Sequence, residues 1–313
     1  MASRNWLAWA ALGVVYVVWG STYLGIRLTL ESMPPLLSAG MRFVAAGLLL
    51  GLLVALVSGP RALRMTWRQF GTAALVGLLL PAWGNGLVVV AEQHVASGLA
   101  ALLVASIPLY VVVMRRALGE RPPAVTLLGV VIGLGGLGVL LLGGPSEGTH
   151  GSAWFGPWLV LLAALGWAIG TVASTRLPAP DNPFALAAAE MLVGGVALLV
   201  GGWVAGESID FGAVTASAWW AWGYLVVFGA FAFSSFIYAL GHLPVSTVAT
   251  YAYVNPIIAV VLGYLVADET FGPVQLIGGG VVLVAVVLVV RAERRKPDVS
   301  VGAGTMRETS EVR

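Results

Sequence analysis

The 313-residue chain contains no cysteine and only three histidines. Disulfides, iron–sulfur clusters and thiolate metal sites are excluded by the first fact. The histidines sit far apart in sequence, so no metal site and no other cofactor is expected. Charge is equally scarce. Charged residues make up 10% of the chain, against about 25% in ordinary soluble domains, so a water-facing surface cannot be covered. A nucleotide-binding signature is missing too: there is no GxxxxGK[ST]. No nucleic-acid partner is expected.

What is abundant is apolar. Hydrophobic residues reach 59%, in continuous runs long enough for helices; a β-barrel would need alternating strands of about ten residues. A helix crosses the hydrocarbon core with roughly 20 residues. The runs and turn residues predict ten spans, near 8–30, 36–57, 70–92, 96–117, 124–142, 155–176, 184–204, 218–240, 245–267 and 273–291. Arg4 precedes a long apolar stretch with no small-residue cleavage site, which reads as a retained first helix. The polar segment 297–313 reads as a disordered tail. The expectation is an all-α integral membrane protein.

The two halves repeat. His94 and His242 are separated by 148 positions (242 − 94), as are Trp19 and Trp167, Pro35 and Pro183, Gly47 and Gly195, and Pro108 and Pro256. One offset across rare residue types indicates duplication, dividing the chain into 1–148 and 149–296. Five spans per repeat is an odd number, so the second repeat enters from the opposite side and the topology is a 5+5 inverted repeat, an architecture that supports alternating access.

Arginine placement gives the orientation. Arg4, Arg61, Arg64, Arg68, Arg115, Arg116, Arg121, Arg176 and the 291–296 cluster share one side if there are ten spans, whereas the opposite connections carry Glu31, Glu92, Glu147, Glu207, Asp210, Asp268 and Glu269. Basic loops stay cytoplasmic, so both termini are expected there, in a multi-pass protein of the inner membrane. Trp6, Trp9 and Trp67 at one boundary, and Trp154, Trp158, Trp203, Trp219 and Trp220 at the other, read as interfacial anchors.

Trp19-Gly20-Ser21-Thr22-Tyr23 in the first span, Gly119-Glu120 and Asp268-Glu269 after the fourth and ninth, and Tyr253-x-Asn255-Pro256 within the ninth together resemble the EamA-type branch of the drug/metabolite transporter superfamily. The resemblance covers roughly 8–291. It implies a central cavity, peripheral fifth and tenth helices, and export of small metabolites such as amino acids. One departure is the doubled acid Asp268-Glu269, where the first half has Glu120 followed by Arg121.

Polar side chains inside spans supply the candidate site, since they usually face the bundle interior. Tyr16, Trp19, Tyr23 and Arg27 form one stripe on the first helix. The aromatic members can stack on a substrate or pack between helices; Arg27 either meets a carboxylate at the outer mouth or snorkels outward towards Glu31. Asn85 in PAWGNG, Trp167, Ser234 and Tyr238, and Tyr251 and Asn255 complete the substrate-binding candidates, with interhelical packing as their other use. Arg42 and Glu190, related by the same offset, lie deeper and are the candidates for charge or proton coupling; Pro108 and Pro256 are candidate hinges. The glycines of the fifth and tenth helices allow close packing in the bundle or a homodimer face. A secondary transporter fits these features; an intramembrane enzyme or a receptor or channel is the alternative.

Overall fold

The computed structural model describes residues 2–142, 154–243, 245–248 and 250–293. The predicted tail at 297–313 and the repeat boundary at 148–149 lie outside the described residues. Within them the protein is all-helical, and nine helices are long and apolar enough to cross a membrane. They are α1 (Ala2–Thr29), α2 (Pro35–Ser58), a composite third span, a broken fourth, α7 (Ala124–Leu142), α8 (Gly156–Ser174), α9 (Pro183–Val204), α10 (Ala216–His242) and α13 (Pro273–Glu293).

The third span joins α3 (Trp67–Gly77), a π-helical segment (Leu78–Asn85) and α4 (Gly86–Ala91). Pro81 lies inside the π segment. Lacking an N–H, it forces the backbone out of the α ladder, and a π bulge restores pairing at a wider turn. The fourth span is α5 (Ser97–Val104) and α6 (Ile107–Ala117), separated by a turn at Ala105–Ser106. Pro108 therefore stands in the first turn of α6 rather than in mid-helix, where its missing N–H costs nothing. The predicted 245–267 span is likewise divided, into α11 (Val245–Val248) and α12 (Tyr251–Val266), with Pro256 inside α12. At 16 residues α12 falls short of a full span by itself.

Helix ends inside a bilayer need partners for their free N–H groups, and acidic side chains from distant loops supply two of them. Glu207 accepts from Leu36 N and Leu37 N at 3.1 and 2.8 Å, capping α2. Glu269 accepts from Ser97 N and Gly98 N at 2.6 and 3.1 Å, capping α5. Asn182 caps α9, and a Thr66–Gln69 capping box opens α3.

These contacts also sort the loops into two ends. At one end Gln69 Nε2 donates to Ala179 O, and Glu120 accepts from Arg115 at 2.7 Å and Arg176 at 3.0 Å. The Arg115 hydrogen bond holds the Glu120 carboxyl below the usual range. At the other end Ser32 meets Thr215, Glu31 accepts from Ser217, and Glu207 and Glu269 make their caps. The tryptophans expected at the interfaces are outward: Trp67, Trp154, Trp203 and Trp220 are all exposed.

Two pairs of helices related by the 148-residue offset lie side by side, α2 along α9 and α7 along α13, and α5 packs on α12. The α2–α9 crossing depends on glycine. A Cβ at Gly195 would stand 2.8 Å from Val44 N and 3.0 Å from Gly40 O, both backbone atoms that cannot swing aside. Gly195→Leu should destabilise the protein by about 3 kcal/mol, read as a fall in detergent thermal-unfolding midpoint; an unchanged midpoint would mean the helices separate freely. Between α7 and α13, Gly129, Gly136 and Gly278 serve the same contact within the chain, whereas Gly135, Gly138 and Gly280 meet nothing within 4 Å.

Candidate functional site

The stripe on α1 runs through the middle of the bundle, because α1 packs on both α10 and α12. Trp19 is its centre. Its ring lies 5.1 Å from Phe236 of α10 and 5.1 Å, edge-on, from Tyr251 of α12; Phe236 and Tyr251 are themselves 5.7 Å apart. Tyr16, one turn away, hydrogen-bonds Thr250. Tyr23, one turn the other way, lies within electrostatic range of Tyr251 and Glu92. Trp19, Phe236 and Tyr251 thus form one aromatic cluster across three helices, with Tyr16 tied to its edge through Thr250.

A second, charged group lies beyond Tyr23. Arg42 is 7% exposed, stands 4.5 Å over the Phe43 ring, and donates to Asn85 Oδ1 at 3.2 Å. The π segment places Asn85 there. Arg27 donates to the backbone carbonyl of Glu92 at 3.1 Å, turning into the bundle instead of outward to Glu31. Its spacing from Tyr23 keeps it on the interior stripe, and a buried carbonyl at the end of α4 offers it a partner. A narrow cavity of about 10 Å³ adjoins Arg42, lined also by Thr29, Ser38 and Trp222. That is near the lower limit for a single water, so the space beside Arg42 is closed to a substrate in this conformation.

The remaining candidates are placed as follows. Asn255 is buried on α12 with Oδ1 unpartnered, and its backbone oxygen lies against Gly20, where a Cβ would stand 3.1 Å away. Trp167 packs on Gly84 of the π segment, while Trp83 donates to Leu162 O and covers Gly166 of α8. Tyr238 stacks on His242 at 4.1 Å, apart from the aromatic cluster. The Ser234 side chain lies outside the described residues. Glu190 is half-buried; its backbone carbonyl abuts Gly77, and no hydrogen bond or ion pair joins it to Arg42 among the described residues. No cluster of three metal-ligating side chains occurs among them either.

Glu92 is the residue that sequence reasoning assigned to an outer loop. It is 0% exposed, and neither carboxylate oxygen has a hydrogen-bond partner. Five residues, Glu92 to Ala96, separate α4 from α5, a connection as short as the one that leaves Glu31 exposed, so the sequence carries no signal of its burial.

The sequence profile of the EamA-like transporter family matches residues 5–142 and again residues 154–291. The chain belongs to the EamA-like transporter family. It is a multi-pass membrane transporter of the drug/metabolite type. Among its relatives, the inner membrane transporter YedA of Escherichia coli K12 is 38% identical over 305 residues, covering 96% of each chain. A WAT1-related chloroplastic protein of Arabidopsis thaliana is 30% identical over 294 residues, covering 91% of this chain and 70% of its own. A crystal structure at 19% identity superposes with a TM-score of 0.62, over 94% of this chain and 99% of the other, and shares the fold.

Proposed function

We propose that the protein is a secondary transporter of the inner membrane that exports small metabolites, with amino acids as the leading class, by alternating access. The carrying observation is the double match of one family profile to the two halves, with an aromatic and charged cluster buried between them. Taking α11 and α12 as one span makes ten spans, which we divide into two inverted repeats, 1–148 and 149–296. The pairing of equivalent helices and the two separate sets of loop contacts support that count. Rocking of one repeat against the other would open the closed site to either side. Pro256, buried beside Asn255, and the break before Pro108 are the proposed hinges. The substrate would contact Tyr16, Trp19, Tyr23 and Tyr251, with Asn85, Trp167, Ser234, Tyr238 and Asn255 as further lining. Proton coupling is the finer reading, through a carboxylate inside the bundle, with Glu190 and Arg42 as the groups the sequence offers. Self-association would use the outward glycines of α7 and α13.

Uptake of a panel of labelled amino acids into proteoliposomes, set against chemical turnover of the same compounds, tests transport against catalysis. Movement without conversion is expected; conversion without movement would make the protein an enzyme. Orientation has a simple check, because the chain lacks cysteine. An impermeant thiol reagent should label Ala213→Cys in intact cells and Ser58→Cys only after permeabilisation. The opposite pattern inverts the topology.

A further inference from the structure

Glu92 occupies the turn between α4 and α5, wholly buried, with both side-chain oxygens unpartnered. The charged and titratable groups facing it come from three other parts of the chain, while α8, which packs on α4 and α5, carries none. Arg27 and Tyr23 approach from α1, Arg42 from α2, and Glu269 from the turn after α12. His94 and Ser97 flank it in sequence, and their Nδ1 and Oγ atoms are buried without partners as well. Glu269 is already satisfied by the Ser97 and Gly98 amides. Arg42 donates to Asn85, and Arg27 donates to the backbone carbonyl of Glu92 itself. Two guanidiniums therefore stand within electrostatic range of a carboxyl group, and neither hydrogen-bonds it.

An ionised carboxylate without donors or water is strongly disfavoured in such surroundings. A protonated carboxyl group is neutral and can stay there. The ionised form needs a donor, and the Arg27 guanidinium already hydrogen-bonds the backbone carbonyl of the same residue, so a change of side-chain rotamer that brought it to the carboxylate would supply one. The resulting charge-assisted pair is the stronger bond. There are thus two self-consistent arrangements, one protonated and unpaired, the other ionised and paired.

We propose that Glu92 is a proton-binding switch, protonated in the closed conformation described here and ionised when Arg27 pairs with it. The proton leaves the carboxyl O–H for water on the side to which the site opens, and the Arg27 N–H replaces it; no covalent bond between heavy atoms changes. Arg27 shares α1 with Tyr16, Trp19 and Tyr23, so the exchange pulls on the helix that carries the aromatic cluster. The inference rests on the transport reading and names Glu92 as the coupling carboxylate. Glu190 has no charged group acting on it among the described residues, and so lacks the second arrangement.

The test uses purified protein in phosphatidylethanolamine–phosphatidylglycerol vesicles. Infrared difference spectra between acidic and alkaline buffer should show the carbonyl stretch of a protonated carboxylic acid in apolar surroundings. Glu92→Gln should remove that band and Glu190→Gln should keep it. Arg27→Gln, which leaves the acid intact but removes its partner, should extend the band to more alkaline buffer. A band that survives Glu92→Gln, or disappears with Glu190→Gln, overturns the proposal, as does an Arg27→Gln titration identical to the native one. In parallel, counterflow of labelled amino acids at equal pH on both sides should vary with pH in the native protein and be flat in Glu92→Gln. If the native vesicles move no amino acid, the amino-acid reading falls, while the infrared titration still decides whether Glu92 binds the proton.

Discussion

Glu269→Ala should lower the unfolding free energy by about 3 kcal/mol and reduce transport with it, whereas Asp268→Gly beside it should leave both within about 1 kcal/mol of native behaviour. The two acids are adjacent and do different things. Glu269 is 5% exposed and holds the first two amides of α5, whose N-terminus is buried where water cannot replace the carboxylate. Its removal leaves two buried donors unpaired, and each such loss costs about 1–3 kcal/mol. The cap also joins the loop after α12 to the start of the fourth span, so α5 loses its anchor. Asp268 is exposed and makes the bend, at φ 51°, a conformation in which glycine is at ease. Thermal unfolding in detergent and proteoliposome uptake would be measured for both variants. Equal behaviour of the two would show that the α5 amides find other partners, and that the doubled acid has no division of labour.

Asn255→Leu should cut transport about tenfold while leaving stability unchanged or slightly raised. The opposite signs separate function from packing. Asn255 is buried with Oδ1 unsatisfied, and an unpaired polar atom away from water is a net cost that an apolar side chain of similar size removes. Under the proposed function the unpartnered Oδ1, beside Pro256 and on the same helix as Tyr251, finds its partner in the substrate. One lost hydrogen bond of about 1.4 kcal/mol corresponds to a factor of ten. Uptake at sub-saturating substrate and the unfolding midpoint are the two readings. Lower stability together with lower transport would assign Asn255 to interhelical packing, and unchanged transport would remove it from the site.

The parts of the site that were legible lie along single helices. Tyr16, Trp19, Tyr23 and Arg27 share one face because their spacing follows the helical period, and the structure puts all four inside. Cross-helix partners were not legible. Phe236 and Thr250 looked like ordinary span residues, yet Phe236 completes the aromatic cluster and Thr250 takes the Tyr16 hydroxyl. The helices are apolar on nearly every side, so no hydrophobic face tells which side turns to lipid and which to a neighbour. Arg27 illustrates the limit: its position near a helix end predicts snorkelling, but the end of α4 happens to sit beside it.

Residence in the membrane, helical class and family membership needed only the chain, because the cost of exposing backbone polar groups or many charges to hydrocarbon is set by composition and run length. The acids were another matter. Glu92, Glu207 and Glu269 all read as loop residues. Whether each meets water, caps a helix or lies stranded depends on which helix end packs beside its turn, between 65 and 172 residues away in sequence for the contacts observed (for Glu92 the contact is its carbonyl to Arg27, at separation 65). Those meetings are fixed by helix rotation and crossing, which glycine contacts such as Gly40 with Gly195 determine in three dimensions, and burial of a charge follows from them.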